Sequence, residues 1–117
     1  MREVLAIEIT FADKKLRESC SMEAACRRRF GENCRILQRR LATLLAAETL
    51  ADMSTVPGRC HALNADRSGQ YAVQLWGPFR LVFEPDHSPM PLDPHGGIDI
   101  SQVTKIRILE IVDYHGD

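Results

Sequence analysis

The sequence lacks any apolar run near the roughly 20 residues that a membrane-spanning helix needs. Acidic residues interrupt the apolar patch at its start, and no cleavage site typical of a secretory signal follows. A membrane protein is therefore excluded, and the cytoplasm is the expected location. An excess of one charge is also missing: the net charge is -1, which argues against a uniformly basic nucleic-acid-binding domain.

Cysteine pairs at metal-ligand spacing are absent as well. The chain has four cysteines, but none forms a C-x-x-C pair, and three lie in a segment that the composition predicts to be helical. We expect reduced, mostly buried thiols rather than a disulfide framework or a metal site. With 44% hydrophobic and 26% charged residues, the 117-residue chain has the composition of one globular domain spanning 1–117.

The first half of the chain predicts one strand and a helical hairpin. Apolar residues alternate over 5–11, which is the period of a half-buried strand. Asp13 is a suitable N-cap, and the helix-forming composition then continues to about Ala51 without a proline. Gly31 divides this stretch into two helices.

The second half predicts four strands. Three of them, at 59–64, 70–76 and 79–84, are separated by turn sequences and form a meander. A loop rich in proline and glycine follows at 85–102, and its length is unusual unless the loop is functional or mobile. The last strand is expected at 103–112. The fold class is therefore α+β, with the helical hairpin packed on one face of a mainly antiparallel sheet of about four to five strands.

Four residues on or beside these strands can handle protons or phosphate: His61, Arg80, Tyr114 and His115. Cleavage of RNA without a metal needs a base for the 2'-hydroxyl proton, an acid for the 5'-oxygen and a cation for the phosphorane. Each residue also has an ordinary structural interpretation, as a surface histidine or a surface ion pair. Spacing alone leaves both interpretations open.

Two stretches carry a resemblance to a known family. RCHALNADRSGQYAVQLWGPFRLVFEP and the terminal VTKIRILEIVDYH resemble the HigB, or plasmid-maintenance killer protein, branch of the RelE/ParE toxin superfamily. The resemblance implies a RelE-like fold and the toxin of a type II toxin-antitoxin system, a ribosome-dependent mRNA endoribonuclease that inhibits translation. It also implies no cofactor and no metal. The implied partners are a helix-turn-helix antitoxin (HigA-like), the ribosome and mRNA, with DNA bound only through the antitoxin.

The resemblance also implies the site residues. The catalytic set is His61, Arg80, Asp113, Tyr114 and His115, in which the two histidines share the acid and base roles in an order left open. Related toxins commonly place a lysine three residues after the position of His61, where this chain has the uncharged Asn64. The expected RNA- or phosphate-binding residues are Arg59, Asn64, Arg67 and Lys105.

Two other functions stay open at this point. A ParE-like member of the superfamily would inhibit DNA gyrase by binding, without nuclease activity. A catalytically weak toxin-like protein would only bind its antitoxin, which the neutral Asn64 makes conceivable. ParE-like members generally lack a pair such as Tyr114–His115, so this pair favours cleavage over gyrase inhibition.

Overall fold

The computed structural model describes residues 6–55 and 58–114. These ranges contain three α-helices and five strands arranged as one α+β unit, which confirms the predicted fold class. The elements in chain order are β1 (Glu8–Phe11), α1 (Lys14–Ser21), α2 (Glu23–Phe30), α3 (Cys34–Ala46), β2 (His61–Ala62), β3 (Tyr71–Gln74), β4 (Phe79–Pro85) and β5 (Lys105–Asp113). In the described part of the chain, no helix has the length and apolarity to cross a bilayer.

The five strands form one sheet in the order β1-β5-β4-β3-β2. β1 runs parallel to β5, and the other three pairings are antiparallel, so the expected mainly antiparallel sheet is confirmed. Each strand lies within a few residues of its predicted position, although β2 keeps only His61 and Ala62 of the predicted 59–64. β2 is therefore a very short edge strand.

Two predicted helix boundaries, the start after Asp13 and the break at Gly31, are confirmed. The predicted continuation to about Ala51 is wrong. The Asp13 carboxylate accepts a hydrogen bond from the Leu16 N–H at 2.8 Å and caps α1, as expected. Gly31 ends α2 at a φ of 60°, which glycine adopts readily. The helical stretch also breaks at Met22, whose extended backbone separates α1 from α2, and α3 ends at Ala46 rather than continuing to Ala51.

The core lies between the helices and one face of the sheet. Alternation along β4 turns Leu81 and Phe83 towards the helices, where both are fully buried in one cluster with Leu37 and Leu44 of α3. Replacing a buried aromatic side chain such as Phe83 with alanine typically costs about 3–5 kcal/mol. The opposite face of β2–β5, here called the open face, does not pack on the helices, although Ala72 and Val82 on it are fully buried.

Two of the four cysteines correct the expectation of reduced thiols. Cys26 of α2 and Cys34 of α3 form a disulfide, because the reversal at Gly31 brings their Cα atoms to 5.6 Å. Both are buried in the core. Cys20 and Cys60 are free thiols, and burial raises the pKa of each to about 11.

The long connection between β4 and β5 is organised by its own hydrogen bonds. Leu92 and Ile98 pair as an isolated antiparallel bridge. The Asp93 carboxylate closes the turn between them, and Asp99 caps a short 3-10 helix at Ile100–Gln102. The connection is therefore folded against the domain, and its side chains have defined positions.

Candidate functional site

The open face of the sheet collects several of the polar residues singled out in the sequence. In register, His61 lies opposite Ala72, and Gln74 lies opposite Arg80, which in turn lies opposite Val112. Because Ala72 and Gln74 are two residues apart on β3, they share a face, and so do their cross-strand partners. His61, Gln74 and Arg80 therefore lie on the face away from the helices.

These three residues line one cavity of about 720 Å³ at the end of this face. The cavity is open to solvent and mostly polar. The described residues that line it are Ser54, Thr55, Arg59, Cys60, His61, Gln74 and Arg80. We call it the polar cavity. Three of the predicted site residues, Arg59, His61 and Arg80, therefore line the same cavity.

His61 is held by its neighbour in a defined orientation. Its Nδ1 lies 2.9 Å from the carbonyl oxygen of Arg59, and a carbonyl can only accept a hydrogen bond. Nδ1 therefore carries the proton, and Nε2 is the nitrogen left for a ligand. Arg59 adopts a φ of 51°, an uncommon left-handed conformation for a residue with a side chain, which turns its carbonyl towards the ring.

Arg80 is tied to the turn between β3 and β4. Its Nη1 donates to the carbonyls of Gly77 at 3.1 Å and Phe79 at 2.9 Å. Within 6–55 and 58–114, no carboxylate pairs with Arg80 or with Arg59. The polar cavity therefore holds two guanidinium groups whose charge no described residue neutralises, which is the environment that a phosphate requires.

The predicted carboxyl-terminal residues divide between the two faces. Tyr114 donates its backbone N–H to the carbonyl of Pro78 at 2.9 Å, beside the turn that holds Arg80. It follows Val112 by two residues, so alternation returns its side chain to the open face. Asp113 lies opposite Phe79 and so faces the other way. His115 lies outside the described residues.

Arg67 spans the open face and is already paired. Its Nη2 donates to the Glu110 carboxylate of β5, and its Nη1 donates to the Gln70 side chain at 2.8 Å. The hydrogen bond that Arg67 donates to Glu110 raises the pKa of Arg67, and the nearby Tyr114 adds to this effect. Arg67 can meet RNA only by leaving or sharing Glu110, and its phosphate-binding role stays a prediction.

Asn64 and Lys105 lie away from the polar cavity. Asn64 is exposed in the turn between β2 and β3, at the opposite end of β2 from Arg59. Lys105 begins β5, about 20 Å along the strand from the residue opposite Arg80, at about 3.3 Å per residue. It lies 3.9 Å from the Asp86 carboxylate. The structure does not bring either residue together with His61 and Arg80.

Sequence reasoning missed a support behind the polar cavity. The Arg40 Nε of α3 donates to the Gln74 carbonyl at 2.8 Å, and the Gln74 N–H donates to the Gly58 carbonyl at 2.6 Å. Gly58 has a φ of 112°, and a Cβ there would lie 3.1 Å from the Arg40 side chain. In the sequence Arg40 belongs to an arginine-rich helix, and only its spacing of three and four residues from the apolar Leu37 and Leu44 could have suggested an inward-facing role.

The arrangement can bind a phosphate and transfer a proton beside it. Arg59 and Arg80 supply charge, and Nε2 of His61 can accept or donate a proton in the same cavity. No group of three or more metal-ligating side chains occurs in the described ranges. The imidazole of His61 and the two guanidinium groups are suited to acid-base chemistry on a phosphate ester.

Comparisons with known proteins give the fold a context. No protein-family model matches the chain, and no curated protein matches it in sequence. The solved structure of the YoeB dimer from Staphylococcus aureus superposes with a TM-score of 0.55 at 16% identity, covering 93% of this chain and 97% of that one. A YoeB/ParE toxin from Agrobacterium tumefaciens gives 0.51 at 10% identity, covering 93% and 100%. The chain therefore shares the fold of YoeB and ParE toxins.

Proposed function

We propose that this chain is the toxin of a toxin-antitoxin pair, and that it is an endoribonuclease which cuts mRNA on the ribosome. One observation carries the proposal: His61, with Nε2 left for a ligand, shares the polar cavity with two guanidinium groups that no described carboxylate neutralises. The fold shared with YoeB and ParE toxins supports the toxin class. The sequence resemblance to the HigB branch supports the nuclease activity.

The proposed reaction is a transesterification that cuts the RNA and releases the fragment that begins with a 5'-hydroxyl. A base removes the 2'-hydroxyl proton, the 2'-oxygen attacks the adjacent phosphorus, and the bond to the 5'-oxygen breaks as an acid protonates that oxygen. The products are a 2',3'-cyclic phosphate and a 5'-hydroxyl. Protons and charge balance without a metal, because Arg80 and Arg59 stabilise the phosphorane and two histidines carry the proton.

Each residue has a distinct role in this proposal. His61 acts through Nε2 in one of the two proton transfers, and His115 acts in the other. Arg80 binds the scissile phosphate, Tyr114 contacts the RNA, and Asp113 orients the neighbouring His115. The Arg59 carbonyl keeps His61 in the tautomer that exposes Nε2.

The charge distribution supports the proposed dependence on the ribosome. From Arg59 onward the chain has five basic and eight acidic residues, so this half carries a formal charge of -3. Affinity for free RNA grows with the number of phosphates neutralised, and the two arginines of the polar cavity provide little of it. A ribosome that presents the mRNA would supply the missing binding energy.

The test is expression of the chain with and without a partner, followed by mapping of mRNA ends. Wild type should arrest growth and produce cuts only in translated mRNA, with 5'-hydroxyl ends. Gyrase inhibition without mRNA cuts would favour a ParE-like binder instead. Neither growth arrest nor cleavage, with stable binding to a helix-turn-helix antitoxin, would favour a catalytically weak toxin, for which the pairing of Arg67 with Glu110 and the neutral Asn64 are the structural reasons.

A further inference from the structure

A second cavity lies directly beside the polar cavity. Its volume is about 450 Å³, and it shares Ser54, Cys60 and His61 with its neighbour. The remaining lining residues are Leu50, Ala62, Tyr71, Asp93, Ile98 and Ile100. We call it the apolar cavity. The two cavities meet at the short edge strand β2, so that His61 stands on the boundary between them.

The linings of the two cavities have opposite character. Among the described residues, no lysine or arginine lines the apolar cavity; apart from the three shared residues, its walls are aliphatic side chains, the Tyr71 ring and the Asp93 carboxylate. Burial raises the pKa of Tyr71, so the phenol is neutral at physiological pH. A carboxylate repels a phosphate and accepts hydrogen bonds from N–H groups. The apolar cavity thus fits a flat, largely apolar group that bears an N–H donor.

The long loop before β5 holds this carboxylate in place. Asp93 Oδ1 accepts hydrogen bonds from the N–H groups of His95 at 2.8 Å and Gly97 at 3.0 Å. Asp93 Oδ2 would lie 3.1 Å from any Cβ at Gly97. The bridge between Leu92 and Ile98 closes the same turn and places Ile98 in the wall. Asp93 and the apolar wall are therefore parts of one folded loop.

A nucleotide has the shape that two such cavities require. Its phosphate and its base extend from opposite sides of a ribose, and the ribose carries the 2'-hydroxyl that the proposed reaction deprotonates. If the ribose lies against His61, the phosphate reaches Arg80 in one cavity and the base enters the other. Adenine, cytosine and guanine each carry an exocyclic amino group, whereas uracil has only carbonyl oxygens at the equivalent positions.

Resting on the proposed function, we propose that the apolar cavity binds the base of the nucleotide whose 2'-hydroxyl is activated, and that Asp93 selects bases with an exocyclic amino group over uracil. The loop between β4 and β5 is then the specificity element of the site. Tyr71, Ile98 and Ile100 hold the base, and Asp93 accepts a hydrogen bond from its amino group.

Binding of single nucleotides tests the selection without requiring cleavage. The four nucleoside 3'-monophosphates and ribose phosphate are titrated into the labelled protein while the methyl signals of Ile98 and Ile100 are followed by NMR. The nucleotides with amino groups should bind about tenfold more tightly than 3'-UMP, because uracil presents carbonyl oxygens, which a carboxylate repels, where the other bases present an amino group, and its one ring N–H lies between those oxygens. Equal affinity for all four, or no shift at either methyl, would overturn the proposal.

Two variants with matched controls locate the effect. Asp93→Asn retains an oxygen for the loop hydrogen bonds and should remove the tenfold preference, whereas Asp86→Asn, elsewhere in the loop, should leave it intact. Ile98→Ala should weaken all four nucleotides several-fold but not ribose phosphate. Leu92→Ala, at an exposed position outside the lining, is its control. An unchanged preference in Asp93→Asn would also overturn the proposal.

Cleavage maps separate this proposal from the function on which it rests. Selective binding without cleavage of ribosome-bound mRNA would refute the nuclease and leave the base site standing. Cleavage that tolerates uridine before the cut as often as other nucleotides would refute the base site and leave the nuclease standing.

Discussion

Two regions on the open face of the sheet each combine a histidine with a cation. Only one of these regions leaves its histidine and its cations available to bind a ligand. In the cavity region (Arg59, His61 and Arg80), His61 keeps Nε2 unbonded to any described residue, and neither arginine has a described carboxylate partner. In the anchor region (Asp86, His87 and Lys105), the His87 Nε2 accepts from the Thr104 and Lys105 N–H groups, and Lys105 lies beside Asp86.

The difference shows that residue type alone does not define a site. Both regions contain an imidazole and a positive charge, but in the anchor region these groups fasten the long loop to β5. An exposed ion pair such as Lys105–Asp86 contributes about 0–1 kcal/mol, so its main effect is to occupy the charges. The cavity region differs because the Nε2 of His61 and the charges of its two arginines are left for a ligand. The presence of histidine and arginine alone would not distinguish it.

The largest expected effect separates the two histidines. His61→Ala should lower mRNA cleavage about 1,000-fold, because general acid-base catalysis contributes about 100- to 10,000-fold. His87→Ala should change the rate by less than about threefold, since that ring supports only the loop. Single-turnover cleavage of ribosome-bound mRNA measures both variants. Equal losses would erase the distinction between the two regions.

The next effect separates the two cations. Arg80→Ala should lower the rate about 100-fold, which is typical of removing one donor that stabilises a transition state. Arg80→Lys should recover part of this loss, because a lysine keeps the charge but not the two-pronged hydrogen bonding. Lys105→Ala should have little effect. If Lys105→Ala lowered the cleavage rate as much as Arg80→Ala, phosphate binding would extend along the whole open face and would not be confined to the polar cavity.

Much of this arrangement is accessible from the sequence. Alternation and turn residues predict the strands that carry His61 and Arg80, and the Asp13 cap and the Gly31 break predict two helix boundaries. The break at Met22 carries no glycine or proline and therefore leaves no local signal.

The unpredicted features depend on contacts between distant segments. The Cys26–Cys34 disulfide depends on how α2 and α3 meet, and the pairing of Arg67 with Glu110 joins residues 43 positions apart. Spacing along the chain could predict neither. The loop is a similar case: its length indicated importance, but only its folding places Asp93 and Ile98 beside His61.

A smaller effect is expected at Gly58, whose carbonyl accepts a hydrogen bond from the Gln74 N–H behind the polar cavity. Gly58→Ala should destabilise the protein by about 1–2 kcal/mol, because the φ of 112° is strained for alanine and its Cβ would press on Arg40. Cleavage should fall about tenfold as the Arg59 carbonyl shifts. Thermal unfolding and the cleavage assay measure the two effects.

Gly69→Ala is the matched control for Gly58→Ala. Its φ of 90° is also strained for alanine, but a Cβ there meets no atom within 4 Å and the turn is remote from Arg59. It should lose stability without the tenfold loss of cleavage by the folded protein. Identical behaviour of both variants would assign the Gly58 effect to backbone strain alone.

The smallest effect concerns the missing lysine. Asn64→Lys should raise cleavage by less than about threefold, because residue 64 lies at the far end of β2 and Arg59 and Arg80 already provide charge. Asn64→Gln serves as the neutral control. A tenfold or larger gain would show that the cavity region lacks a cation and that its two arginines are insufficient.

The chemistry of the cut ends tests most directly whether His61 and Arg80 cleave mRNA through the 2'-hydroxyl. Ribosomes translating a defined mRNA are treated with wild type, His61→Ala or Arg80→Ala, in the presence of EDTA at a level that leaves the ribosomes intact. We expect 2',3'-cyclic phosphate and 5'-hydroxyl ends from wild type, and almost no cut ends from either variant. Ends bearing a 5'-phosphate, or equal cleavage by all three proteins, would contradict this mechanism.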